Sequence, residues 1–223
     1  MNQTAPASPC PLCGAHSAEY FRDRRSYLQC QTCALVHVPP PWHLDPGQEH
    51  AEYELHQNDP EDPGYRQFLS RLATPLLDRL PPHSHGLDFG CGPGPALAAM
   101  LEERGHSVAL YDLFYHPDAS TLESRYDFIT ATEVIEHLAH PRKELERLWR
   151  LVKPGGWLGI MTKRVRDRDA FAHWHYKNDP THIAFFSEAT FKWLAEALDA
   201  ELTILQPDVV LLRKPASADR RFH

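Results

Sequence analysis

The chain has 223 residues, 42% of them hydrophobic, with a formal charge of −7. That is long enough for one domain of ordinary size plus a small appendage. The acidic balance argues against a general nucleic-acid binder, because phosphate contacts need clustered Lys and Arg. No apolar run approaches the length of a membrane-spanning helix. The N-terminus lacks the charged and apolar regions of a signal peptide, so a cytoplasmic location is expected.

Cys10-Pro-Leu-Cys13 and Cys30-Gln-Thr-Cys33 come first, giving C-x2-C-x16-C-x2-C. This is the spacing of a four-thiolate zinc ribbon, in which two tight knuckles present their sulfurs to one metal. The alternatives are coincidence of spacing or two disulfides, the latter disfavoured without a secretion signal. The segment Tyr20 to Gln29 is expected to form one or two short strands between the knuckles. Gly14 follows the first knuckle as a tight turn requires, and Ala34 departs from that rule after the second. Structural zinc would supply on the order of 10–16 kcal/mol to a piece too small for its own core. The ribbon is assigned residues 1–40, ending at the Pro39–Pro41 run.

Residues 41–82 read as a polar segment rich in Tyr, His and Asn, followed by a helix from Tyr65. Phe68, Leu69, Leu72, Leu76 and Leu77 share one face of it, and Pro75 is expected to kink or split it. Then Gly86-Leu-Asp-Phe-Gly-Cys-Gly-Pro-Gly-Pro95 runs a short apolar strand into glycines at 90, 92 and 94. Such a loop lets a ligand touch backbone, and the following helix points its first N–H groups at it. A dinucleotide fingerprint would need a third glycine where Pro95 stands, and no Walker Gly-Lys-Ser/Thr is present. The strand Ser107–Asp112 ends in an acid 20 residues after Gly92, placed to accept both hydroxyls of a ribose.

Phe128 to Ala131 read as a buried strand leading into Glu133-Val-Ile-Glu-His137. Pro141 to Val152 form an amphipathic helix, which Lys153-Pro-Gly-Gly156 stops before the strand Trp157–Thr162. The basic run Lys163–Arg168 starts at the carboxyl end of that strand, where it is either an anion site or a solvated loop. Ser187 is placed to cap the last helix, and two strands, 201–205 and 208–214, close the sheet as a hairpin.

Four of these segments, in order and spacing, resemble the class I methyltransferases that use S-adenosylmethionine (SAM), of the ubiquinone-methyltransferase type. They are the glycine loop, the acid Asp112, Glu133–His137 and Lys153–Gly156; Trp174, Tyr176, Asp179, Thr181, His182 and Phe185–Ser187 match a further stretch of the pattern. The resemblance covers roughly residues 50–213. It implies an α/β fold, a Rossmann-like seven-stranded sandwich, with the SAM-binding core at 83–214 and a tail at 215–223.

It also implies cofactor contacts from Asp88, Gly90, Gly92, Gly94, Asp112, Leu113 and Glu133, with Tyr53 or Tyr65 in a lid over the pocket. His182 is the main candidate for a general base, with His137 and Tyr176 beside it, because a neutral imidazole takes a proton near pH 7. The expected reaction is methyl transfer to a small-molecule acceptor, more at oxygen than at carbon or nitrogen. An rRNA or sugar methyltransferase, or a non-catalytic SAM-binding protein, remain alternatives. Nothing in the sequence fixes an oligomeric state.

Overall fold

The computed structural model describes residues 8–54, 59–205 and 207–216. The tail beyond 216 and positions 55–58 of the expected lid lie outside them. The elements in chain order are β1 (Ser17–Arg22), β2 (Ser26–Cys30), β3 (Val36–His37), α1 (Pro46–Tyr53), α2 (Pro63–Leu77), β4 (His85–Phe89), α3 (Ala96–Glu102) and β5 (Ser107–Tyr111). They continue with β6 (Tyr126–Thr132), α4 (Pro141–Leu151), β7 (Val152–Met161), α5 (Arg168–Ala172), β8 (Ala184–Phe185), α6 (Glu188–Leu198), β9 (Glu201–Leu205) and β10 (Val209–Arg213).

The central sheet has the order β5-β4-β6-β7-β10-β9. The first four strands are parallel, and β10 runs antiparallel to both β7 and β9. Six strands stand among the described residues where seven were expected. Only residues 112–125 join β5 to β6, and they form a short 3₁₀ turn at Ala119–Glu123. That length has no room for a helix, a further strand and a return, so β5 becomes the sheet edge.

Alternation along the strands sends neighbours to opposite faces. Val209 and Leu211 of β10 join Phe128 and Met161 beneath α2 and α3. Val210 and Leu212 join Ile129, Leu158 and Ile160 beneath α4 and α6. The helix α2 is continuous despite Pro75, because that proline falls in its final turn and Asp78 already caps the end. A missing N–H there costs one bond rather than the helix. Ser187 caps α6 as expected, through a reciprocal box with Thr190.

The second sheet is β1-β2-β3-β8, all antiparallel. Its first three strands come from the cysteine ribbon and its fourth from residues 184–185, after β7 of the core. An aromatic cluster of Tyr27, Phe171, Phe185 and Tyr176 packs between the ribbon and the following segment. Among the described residues, no helix is long and apolar enough to cross a membrane.

Candidate active site and metal centre

The glycine loop leaves β4 through Gly90 and Gly92, both at positive φ (73° and 65°). A Cβ on Gly90 would lie 2.4 Å from Val134, so the loop packs against the β6 exit as closely as backbone allows. Asp112 closes the adjoining edge. Its Oδ2 accepts the Gly92 amide at 3.0 Å, and its Oδ1 accepts the amides of Phe114 and Tyr115 at 2.9 and 3.1 Å. Leu113, next in sequence, stands 68% exposed. Asp88 is buried under the loop and accepts from Thr130 Oγ1 at 2.7 Å. Burial pushes its carboxyl up to about 6, against the lowering effect of that hydrogen bond.

Two tyrosines approach from the N-terminal helices. Tyr65 opens α2, and burial raises its phenol to about 12, with the charges of Asp88 and Glu133 adding to the rise. Tyr53 ends α1. Its ring lies 5.6 Å from Phe114 and 5.3 Å from His137, so it spans from the Asp112 loop to the far end of the site. His50, on the same helix, packs 4.8 Å from Phe114.

The far end is a polar cluster at the exits of β6 and β7. Glu133 is held at φ 52°, a left-handed conformation that a non-glycine residue adopts at a cost. Its amide donates to Met161 O at 2.8 Å, and its Oε2 accepts from Tyr176 Oη at 3.2 Å. Its Oε1 is buried with no hydrogen-bond partner among the described residues. Glu136 is fully buried and accepts from Tyr176 Oη and, at 3.0 Å, from Thr162 Oγ1. Burial raises Glu133 to about 7. Burial, and then the charge of Glu133, raises Glu136 to about 8. Burial and the two neighbouring carboxylates also keep the Tyr176 phenol protonated far above its ordinary range.

His182 joins this cluster. Its Nδ1 meets Tyr176 O at 2.7 Å, and its Nε2 lies 3.6 Å from Asp179 Oδ2. Its ring stands 4.7 Å from that of His137 and 4.1 Å from that of Tyr176. One ligand atom each from Glu136, His137 and His182 falls within 4.8 Å of the others, a spacing that could hold a metal ion. The cluster therefore sets two carboxyls that hold their protons to about neutral pH beside two imidazoles.

The fold thus brings His182, His137, Tyr176 and Glu133 together, with Tyr53 over His137. Glu136 and Thr162 were not singled out from the sequence. The signal for Glu136 was a carboxylate directly before His137 at the end of a buried strand. The basic run divides: Arg164 donates to the carbonyls of Leu205 and Val209, whereas Lys163 lies 5.0 Å over the Tyr176 ring.

In the N-terminal ribbon the four cysteines form no disulfide, and their sulfurs all lie within 4.8 Å of one another. Cys10 and Cys33 are 3.5 Å apart, and Cys13 and Cys30 are 3.3 Å apart. The amides of Leu12, Thr32 and Cys33 point at knuckle sulfurs. A hydrogen bond from Cys33 pulls the Cys10 thiol down to about 5. Two knuckle turns thus present four soft donors to one point, a set that could hold a tetrahedral thiolate metal.

Comparison with known proteins agrees with this geometry. The chain is 35% identical over 121 residues to the tRNA 5-carboxymethoxyuridine methyltransferase of Escherichia coli K12, covering 43% of this chain and 45% of that protein. It is 31% identical over 100 residues to the ubiquinone biosynthesis O-methyltransferase of Hydrogenovibrio crunogenus, covering 34% of this chain and 41% of that protein. The chain thus spans less than half the length of these curated relatives. The fold matches the 1,6-didemethyltoxoflavin-N1-methyltransferase of Burkholderia thailandensis, solved with bound 1,6-didemethyltoxoflavin and S-adenosylhomocysteine, at a TM-score of 0.56 and 17% identity. That match covers 88% of this chain and 98% of the other. Residues 61–205, which hold the glycine loop, Asp112 and the Glu133–His182 cluster, match the methyltransferase domain family, and the chain belongs to it.

Proposed function

We propose that the protein transfers a methyl group from SAM to a hydroxyl of a small-molecule acceptor. The observation that carries this reading is the clustering of Glu133, Tyr176, His137 and His182 beside the glycine loop. An oxygen acceptor loses a proton as the methyl arrives, and this cluster has groups to receive it. His182 is the base of first choice, because Tyr176 O fixes one ring nitrogen and so the direction of the other. His137 and Tyr176 shape the same wall. Alignment of nucleophile, methyl and sulfur supplies the rest, about 7–11 kcal/mol in favourable cases.

The residues of the other half suit SAM. Asp112 would accept the ribose hydroxyls, and Leu113 would offer apolar surface to the adenine. Gly90, Gly92 and Gly94 would admit the methionine end against backbone. Asp88, Glu133 and Tyr65 would face the ammonium group, which could supply the donor that the buried Oε1 of Glu133 lacks among the described residues. Tyr53 would cover the bound cofactor. Cys10, Cys13, Cys30 and Cys33 would hold one structural zinc.

A second reading, an acceptor carried on tRNA, is favoured by the likeness to the E. coli enzyme. The test of both is methyl incorporation from labelled SAM into a panel of hydroxylated aromatics and, separately, into bulk tRNA. Label in the small molecules supports the first reading, and label in tRNA alone supports the second. Metal analysis is expected to find about one zinc per chain, lost in Cys13→Ser and Cys30→Ser.

A further inference from the structure

Between Tyr176 and His182 the chain makes a turn, Lys177–Pro180, whose carbonyls meet the cysteine ribbon and not the site. Arg25 stands at the start of β2. Its Nη1 donates to Pro180 O at 2.9 Å, and its Nη2 donates to Lys177 O at 2.6 Å and to Asp179 O at 3.0 Å. Its Nε donates to Tyr27 Oη at 3.3 Å, and that hydroxyl donates to Lys177 O at 3.1 Å. One planar guanidinium thus engages three carbonyls of a single turn, which a lysine's point charge does not reproduce.

Further ties run in parallel. The buried Lys177 ammonium pairs with Asp23 in the β1–β2 hairpin. The Val38 amide donates to Ile183 O at 2.9 Å, and the Ile183 amide donates to Glu136 O at 2.8 Å. Tyr27 packs edge-on to Phe171 and Phe185. The hairpin that presents Arg25 is short, and a two-stranded hairpin is marginal by itself. The four cysteines close its other end. Among the described residues, no hydrogen bond runs from the ribbon to the glycine loop or to Asp112.

We propose that Arg25 is a positioning residue: it fixes the Lys177–Pro180 turn, and with it Tyr176, Asp179 and His182, while the metal-bound ribbon holds Arg25 in place. The description of that end as the acceptor end rests on the function proposed above. The ribbon then governs the order of the acceptor end without governing the cofactor end.

The test is hydrogen-exchange mass spectrometry on the full chain with stoichiometric zinc, beside calorimetry with S-adenosylhomocysteine. Arg25→Ala is expected to speed exchange across 176–183 on the order of tenfold or more, the loss expected for bonds from a charged donor. Exchange across 85–95 and the calorimetric affinity are expected to stay unchanged, and Arg25→Lys is not expected to restore protection. Removing the metal with a chelator is expected to give the same regional pattern. Unchanged exchange at 176–183, or an equal rise along the whole chain, would overturn the proposal. Should Arg25→Ala fail to fold, Tyr27→Phe removes one bond to the same turn and is expected to raise exchange there by a smaller factor; no rise would be equally fatal. Failure of the wild-type chain to bind S-adenosylhomocysteine would instead count against the methyltransferase reading alone, since exchange decides the role of Arg25 separately.

Discussion

The Gly92 amide donates to Oδ2 of Asp112 across 3.0 Å, which ties the glycine loop to the end of the neighbouring strand. The same carboxylate orders the Phe114–Tyr115 backbone through its other oxygen. Asp112 thus shapes the proposed cofactor end as well as offering it acceptors. Asp112→Ala should weaken S-adenosylhomocysteine binding on the order of 100-fold, because bonds to a charged acceptor and the loop geometry go together. Asp112→Asn, which keeps one acceptor oxygen, should lose less. Calorimetry checks this, and equal affinity for Asp112→Ala and the wild type would remove the ribose role.

The buried carboxyls give stability a pH dependence. Asp88, Glu133 and Glu136 are raised by burial to about 6, 7 and 8, so each holds its proton to higher pH folded than unfolded. Their contribution is fully present below the unfolded carboxyl range and is lost as pH rises through those folded values. Glu136→Gln cannot ionise. It should flatten the slope and be more stable than the wild type at about pH 9 by roughly 1–3 kcal/mol. Urea unfolding at about pH 5 and about pH 9 measures the difference.

Ala34 takes φ 57° after the second knuckle, the conformation Gly14 takes after the first. A Cβ there costs roughly 1–2 kcal/mol. Ala34→Gly should therefore stabilise the chain by about 1 kcal/mol, offset in part by the freedom glycine adds to the unfolded state. Ala34→Val should do the opposite. A midpoint shift at constant slope in denaturant would confirm it.

His182→Ala should lower turnover by about 10²–10⁴ if the imidazole takes the acceptor proton. Affinity for S-adenosylhomocysteine should be unchanged, since Asp112 and the glycine loop lie elsewhere. The acceptor class that shows methyl incorporation supplies the assay. Turnover equal to the wild type would leave His182 the role of shaping the wall through Tyr176 O.

The glycine loop, Asp112, the cysteine knuckles and the Ser187 cap were legible because each is a short pattern with a local physical cause. The cluster around Glu136 was only half legible. Its carboxyl is buried by Thr162 and Tyr176, which reach it from later segments, and no local pattern announces that meeting. The pairing of β3 with β8 was invisible for a related reason: two-residue strands carry no period to read. The expectation of a seventh strand came from family likeness, whereas the short 112–125 connection already argued against it. The proline in α2 was read for its chemistry without its position in the last turn.

The sharing of one small sheet between Val36–His37 and Ala184–Phe185 has a consequence for biosynthesis. The cysteine knuckles leave the ribosome before the rest of their sheet and can gather their metal early. The strand that completes their sheet follows almost 150 residues later, roughly 7–30 s at ordinary rates of synthesis. Through that interval the edge of β3 is an open template, closed only once Ala184–Phe185 has been made.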